Sequence, residues 1–312
     1  MMKLSYSKKE LSNSAGLTEA QFLKEYDVTA FERPSVTVDM VVFCVVEEPV
    51  NNYRKLAVKK LRVLMVKRGD HPYIGQWALP GGFVRLNENF EEAVVRELKE
   101  ETNVGNIYLD QLYTWGDVGR DPRTRVITVS YLALIDASSQ IILGGSDAVE
   151  AKWFTVEMTE EKSVKPHGNV TRVALKLNDD PEELSSVMEK SNNFFGEISK
   201  EYLTLVSSSG IAFDHAKIIQ YGLEKLRENA LRSDIVFNLM PESFTLTELQ
   251  RVYEVILGQP LLMANFRRKV SPMVTLADEV KPEKSAGHRP SQLYRFNPNW
   301  KRDKLESEKA KN

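Results

Sequence analysis

Between Gly82 and Val104 the chain reads GFVRLNENFEEAVVRELKEETNV, and within it Glu97, Glu100 and Glu101 stand at i, i+3 and i+4. On an α-helix that spacing puts three carboxylates on one face, a single turn apart. Like charges so placed repel by roughly a few tenths of a kcal/mol per pair, so a helix does not adopt the pattern for its own stability. A hard divalent cation removes the cost, because Mg²⁺ takes oxygen ligands and binds through a few carboxylates together with substrate phosphates. The plainer alternative for three glutamates alone is a solvated acidic face.

The flanking residues suit the first reading. Leu79-Pro80-Gly81-Gly82 is a tight approach without Cβ atoms at the glycines, where backbone carbonyls can reach a ligand. Asn89 followed by Glu92 has the form of a capping box and predicts a helix starting near Phe90. Phe90, Val94 and Leu98 then make an apolar i, i+4, i+8 stripe expected to face a core, with the carboxylates on another face.

The stretch resembles the Nudix box, G-x5-E-x7-R-E-U-x-E-E-x-G-U with U aliphatic. Gly82, Glu88, Arg96, Glu97, Leu98, Glu100, Glu101 and Val104 fall in place. Asn103 stands where the pattern has Gly, a mild departure, since Asn is the next-best residue for a left-handed helix end. The resemblance implies an α/β (α+β) fold, a Nudix α/β/α sandwich around a mixed sheet. It implies Mg²⁺ or Mn²⁺ on Glu97, Glu100 and Glu101 with help from the Gly81 carbonyl, and a Glu88–Arg96 pair fixing the loop to the helix. It also implies a further metal ligand or general base from the loop holding Asp147 and Glu150, with the choice between the two open. Proton removal falls to Glu97 or to that loop.

A chain of 312 residues has room for two domains, and its 42% apolar and 28% charged residues are ordinary for a globular protein. The formal net charge of −2 hides an acidic first part and a basic part beyond about residue 207. The single cysteine, Cys44, lies in the apolar run Val38–Val46 and reads as a buried strand residue, which excludes an intrachain disulfide or a cysteine zinc site. Neither an apolar run of about 18 residues nor a signal-like start is present, so a cytoplasmic protein with no membrane association is expected.

Residues 1–35 read as a polar extension with one helix, Thr18–Tyr26, capped by Thr18. Strands are predicted at Val36–Val46, Leu61–Val66, Ile107–Thr114 and Arg125–Ile135. His71 opens the loop leading to the glycine pair and is expected to pack locally, with a ligand role as the alternative. The loop GDVGRDPRTR carries Arg120, Arg123 and Arg125, suited to bidentate phosphate recognition, against the alternative of a solvated loop. It resembles the ADP-ribose-handling branch of the Nudix family, which makes these arginines and Asp147 candidate substrate contacts. Residues 157–206 read as an insertion in a Nudix domain spanning 36–206, with a strand VTRVALKL and a helix after Pro181 (EELSSVMEK).

From Ile211 the pattern changes. IAFDHAKIIQYGLEKLREN has helical periodicity, Thr245 with Glu248 makes a second capping box, and Gly258-Gln259-Pro260 ends that helix. A further helix at about Met263–Met273 carries Asn265, Arg267, Arg268 and Lys269. VTLADEV and QLYRF then flank a loop with Arg289. Helix, helix, turn, basic helix and hairpin is the order of a winged helix-turn-helix, here residues 207–298. Asn and Arg of the basic helix are placed to read base edges, Lys and Arg to hold phosphates, and Arg289 to reach the backbone or minor groove. A basic dimerisation domain is the plainer alternative, and Arg268 fits a core-edge position as well. The tail 299–312 is expected to be disordered.

Taken together, LPGGFVR, GRDPRTR, FDHAKII, FTLTELQRVYEVILG, NFRRKV and RPSQLYRF resemble the Nudix-related transcriptional regulators of NAD metabolism and their sugar-utilisation cousins. That resemblance implies a homodimer that binds ADP-ribose or a related nucleotide and double-stranded DNA. Members of that group often have a decayed box, whereas this box is intact, so a retained pyrophosphohydrolase activity is expected beside regulation. The alternative is an ADP-ribose pyrophosphatase whose C-terminal domain only dimerises.

Overall fold

The computed structural model describes residues 11–48, 58–102, 107–136, 148–165, 168–195, 198–281 and 291–309. Residues up to Pro34 form a compact unit of their own. It contains helix α1 (Glu19–Glu25), which starts at the Thr18–Gln21 capping box.

The second unit, from Ser35 onward, is built on a ten-stranded mixed sheet. Its centre is β1 (Ser35–Glu48), antiparallel to β2 (Val58–Arg68). The short β3 (Trp77–Ala78) pairs with β2, and β4 (Gly81–Phe83) with β1. Helix α2 (Phe90–Thr102) follows, then β5 (Tyr108–Trp115) and β6 (Val126–Ile135), the latter parallel to β1. β1 is apolar at successive positions because both of its faces are covered. Val38, Met40 and Val42 meet Ala93, Val94 and Leu98 of α2, whereas Val41, Phe43 and Val45 face the opposite core. Cys44 is buried and free. Phe90, expected in the apolar stripe of α2, is instead exposed, and Ala93 takes the inward position.

The sheet continues through β7 (Ala148–Lys165), β8 (Gly168–Asp179), β9 (Glu182–Phe195) and β10 (Ile198–Ser209), all antiparallel. The helix expected after Pro181 is therefore strand β9. Leu184, Ser186, Met188 and Lys190 are buried in alternation with less buried neighbours, a period of two that overrides the helix-forming composition.

Helix α3 (His215–Arg232) crosses the second face of the sheet, burying Ile218, Ile219, Leu223 and Leu226. A 3₁₀ turn at Ile235–Leu239 leads to α4 (Leu246–Leu257), which begins in the Thr245–Glu248 capping box and ends at left-handed Gly258. Helix α5 (Met263–Val270) is followed by a 3₁₀ turn at Ser271–Met273. The hairpin β11 (Val274–Lys281) and β12 (Ser291–Phe296) completes a winged-helix order. The tail expected to be disordered is, over Trp300–Lys309, helix α6. Trp300 anchors it, its Nε1 donating to Asp234 at 2.8 Å while the ring packs on the core. Among the described residues no helix is long and apolar enough to cross a membrane.

Candidate functional site: a carboxylate-walled cleft and a basic helix

A cleft of about 690 Å³ opens where β2, β4, α2 and the start of α3 converge. One wall is the Nudix-box helix. Arg96 grips Glu88 with two hydrogen bonds, from Nε at 2.8 Å and Nη2 at 2.6 Å, while Nη1 donates to Glu97 at 2.6 Å. The same Nη1 reaches Glu100 at 3.4 Å, and Nη2 donates to the Phe83 carbonyl at 3.2 Å. The guanidinium thus ties the loop to the helix, as the resemblance implied. Its hydrogen bonds hold the Glu88 carboxyl down at about 2. Glu97 behaves oppositely, burial pushing its carboxyl above the ordinary range against the opposing pull of Arg96.

Gly81 and Gly82 make this closeness possible. A Cβ on Gly82 would fall onto the Glu97 carboxylate, and one on Gly81 onto the Val38 carbonyl oxygen. Glu88, Glu97 and Glu100 share one half-buried arginine, with Arg85 reaching Glu100 at 3.5 Å, so carboxylates gather at the wall in excess of the nearest guanidinium. That oxygen-only donor set, backed by backbone, suits a hard divalent cation. Among the described residues no cluster of three metal-binding side chains is assembled. Glu101 is described as a helical position only, and Asp147 lies outside the described residues.

Glu150 is not brought to the cleft. It pairs with Lys67 at 3.6 Å and Lys152 at 3.0 Å on the sheet beside Trp77. The three loop arginines have three different fates. Arg120 is buried and holds Asp214 bidentately at 3.1 and 2.7 Å, with Asp39 at 3.6 Å. It contributes to the cleft wall as a structural clamp. Arg123 pairs with Asp121 and lies over the Phe83 ring, still partly exposed in the cleft. Arg125 donates to the Asp117 carbonyl outside the lining. His71, expected to pack locally, is exposed and lines the cleft.

Sequence reasoning missed Asp39, Phe213, Asp214 and His215. His215 is fully buried; its Nδ1 accepts the Leu79 N–H at 2.8 Å, which leaves the proton on Nε2, 3.7 Å from Asp39. Burial lowers its pKa, so the ring is neutral. The only hint was a polar Asp-His pair opening an apolar helix, and a lone Asp inside an apolar strand.

The second candidate surface is α5. Phe266 and Val270 point inward, while Asn265, Arg267 and Arg268 are exposed. Arg267 and Arg268 line a groove with Thr245, Thr247, Ser291 and Gln292, between the start of α4 and the wing. Arg268 donates to Asn265 at 3.2 Å. Lys269, expected at the DNA surface, turns inward instead. Its Nζ donates to the Ala230 carbonyl at 2.9 Å at the end of α3 and lies over the Tyr253 ring, and burial lowers its pKa. Arg289 lies outside the described residues.

A glycine-pinned carboxylate helix on a mixed sheet, followed by helix-turn-helix and wing, defines a Nudix domain joined to a winged helix. The model of the Nudix domain matches residues 56–173, and that of the NrtR DNA-binding winged helix domain matches 236–296. The chain belongs to the NrtR family of Nudix-linked winged-helix transcriptional regulators. It is 31% identical over 283 residues to the ADPR responsive transcriptional repressor NtrR of Acinetobacter baylyi, covering 89% of this chain and 88% of that one. A 96-residue segment is 41% identical to the ADP-ribose pyrophosphatase of Methanocaldococcus jannaschii, 31% of this chain and 56% of that protein. Among solved structures, a MutT/nudix family protein from Enterococcus faecalis superposes with a TM-score of 0.63 at 27% identity, over 92% of this chain and 100% of that one. Shewanella oneidensis NrtR complexed with a 27mer DNA superposes with a TM-score of 0.56 at 28% identity, over 85% and 94%.

Proposed function

We propose that this chain is a nucleotide-sensing regulator acting in the cytoplasm as a homodimer. It binds ADP-ribose or a related nucleoside diphosphate compound in the cleft and double-stranded DNA at α5 and the wing. Residues 36–206 form the sensing domain, with 157–206 as its elaboration, and 207–298 the DNA-binding one. The observation that carries this reading is the placement of α3. At its start, Phe213 and His215 line the cleft; toward its end, Ala230 holds Lys269 of α5 and Arg227 donates to the Ile256 carbonyl of α4 at 2.9 Å. Eighteen residues of helix span about 27 Å, so one rigid element runs from the cleft to the inner side of α5.

At the cleft, Glu97 and Glu100, with Glu101 and the Gly81 carbonyl, would hold Mg²⁺ or Mn²⁺, which would supply Lewis-acid charge neutralisation to a diphosphate. Arg123 is the loop arginine best exposed to a phosphate, and Arg96 keeps Glu97 and Glu88 oriented. At α5, Arg267 and Arg268 contact phosphate or base edges and Asn265 reads bases. Calorimetric titration of ADP-ribose with Mg²⁺, and gel retardation of DNA from upstream of the protein's own gene, test the two halves. Absence of both heats and shifts would end the proposal.

Retained hydrolysis is a second reading, favoured by the intact Glu88–Arg96–Glu97 arrangement. It requires AMP and ribose 5-phosphate to accumulate from ADP-ribose only when Mg²⁺ is present. No AMP after hours at micromolar protein would leave a sensor without turnover.

A further inference from the structure

Among the described residues only two non-glycine residues, Tyr73 and Phe213, adopt a left-handed backbone, with φ of 63° and 53°. For a bulky side chain this conformation costs on the order of 1 kcal/mol or more, and it persists only where surroundings enforce it. The two come from segments far apart in sequence, yet their rings meet, centroids 4.7 Å apart. The Arg68 guanidinium lies over the Phe213 ring at 5.0 Å, and its Nε donates to the Pro72 carbonyl at 2.7 Å, holding the Tyr73 loop in place. His215 backs the same ring at 5.2 Å. Arg68 at the end of β2 and Phe213 just ahead of α3 both line the cleft, whereas Glu97 and Glu100 come from the helix at the other wall. The packing of Phe213 leaves it only half-buried, and Tyr73 is exposed.

A cleft with carboxylates on one wall and a flat guanidinium–aromatic pair on the other matches a ligand with a diphosphate at one end and a planar ring at the other. Guanidinium planes and aromatic rings both stack on nucleobases. We propose that the Arg68 guanidinium, lying over Phe213 and supported through the Tyr73 loop, is the platform on which the base of the bound nucleotide stacks, with Phe213 as the positioning residue that sets this plane and so determines specificity. The proposal rests on the cleft being the nucleotide site, as argued above. Its position two residues ahead of α3 also means that the base end of the ligand touches the element leading to α5.

The test is titration of the full chain, with Mg²⁺, by ADP-ribose and by base-free ribose 5-diphosphate. Phe213→Leu removes the ring that supports the Arg68 plane and is expected to weaken ADP-ribose binding about tenfold, within the usual effect of losing one base stack, while leaving ribose 5-diphosphate within about twofold. Phe213→Tyr keeps a ring and retains ADP-ribose binding. Should the leucine variant fold poorly, Phe213→Gly accepts the left-handed backbone without strain and is expected to show the same selective loss. Equal losses for both ligands, or no loss for ADP-ribose, would overturn the platform while leaving the cleft as the nucleotide site. Failure of the unaltered protein to bind ADP-ribose at all would overturn the site assignment and the platform with it.

Discussion

The cleft and helix α5 both present arginines, and they use them in opposite ways. In the cleft Arg96 and Arg120 are held by carboxylates on several sides, and Arg123 by Asp121. On α5 Arg267 and Arg268 are exposed, and among the described residues Arg268 bonds to the neutral Asn265 side chain. Inward-facing pairs of the first kind position other groups, here the carboxylates that suit a cation. Outward, uncompensated charge of the second kind serves an external polyanion. Lys269, one residue from Arg268, follows the first pattern although it sits on the second element.

The largest effect is expected at Arg120. With 5% of its side chain exposed, Arg120→Met strips Asp214 and Asp39 of their partner and should cost about 3–5 kcal/mol of unfolding free energy. A urea midpoint shift worth less than about 1 kcal/mol would show that the clamp is not structural. Next, Arg267→Ala with Arg268→Ala should leave the urea midpoint unchanged but lower DNA affinity and flatten the slope of log K against log salt by about two. An unaltered slope removes α5 from the interface. Lys269→Met removes the ammonium that faces the protein interior. The Ala230 carbonyl loses its donor, so stability should fall by about 1 kcal/mol while the salt slope is retained. A slope reduced by one would mean that the ammonium reaches phosphate after all.

The smallest effect is a pH dependence at Glu88. Its folded pKa of about 2 lies below the ordinary 4.5, so its contribution is present above 4.5 and is lost as pH falls toward 2. Glu88→Gln should therefore be less stable than the parent at pH 7, with the gap closing in that window. Glu97 has the opposite sign, since burial raises its pKa and its ionised form is disfavoured in the metal-free protein. Glu97→Gln should accordingly not destabilise the metal-free protein at pH 7. A parallel loss at both positions would contradict the opposed shifts.

Much of the architecture was legible from local chemistry. Both capping boxes of the long unit, the glycine-pinned box and the apolar strand Val36–Val46 depend on neighbours a few residues away, and the structure bears them out. What escaped depends on distant partners. Strand β9 looked helical by composition because its alternation is settled by pairing with β8 and by burial under α3. Helix α6 looked like a charged tail because Asp234, which anchors Trp300, lies 66 residues earlier. The Phe213–His215 corner was read as an ordinary helix start, since Leu79, Asp39 and Arg120 approach it only in the folded chain. Loop arginines 120, 123 and 125 looked equivalent in sequence, and only the fold separates clamp from surface.

The central claim is that occupancy of the cleft reaches α5 through α3. Its most direct test is DNA affinity, measured by fluorescence anisotropy with and without saturating ADP-ribose at fixed salt. A change of at least about fivefold is expected, with DNA altering ADP-ribose affinity by the same factor, as linkage requires. Identical DNA affinity at full ADP-ribose occupancy would contradict it.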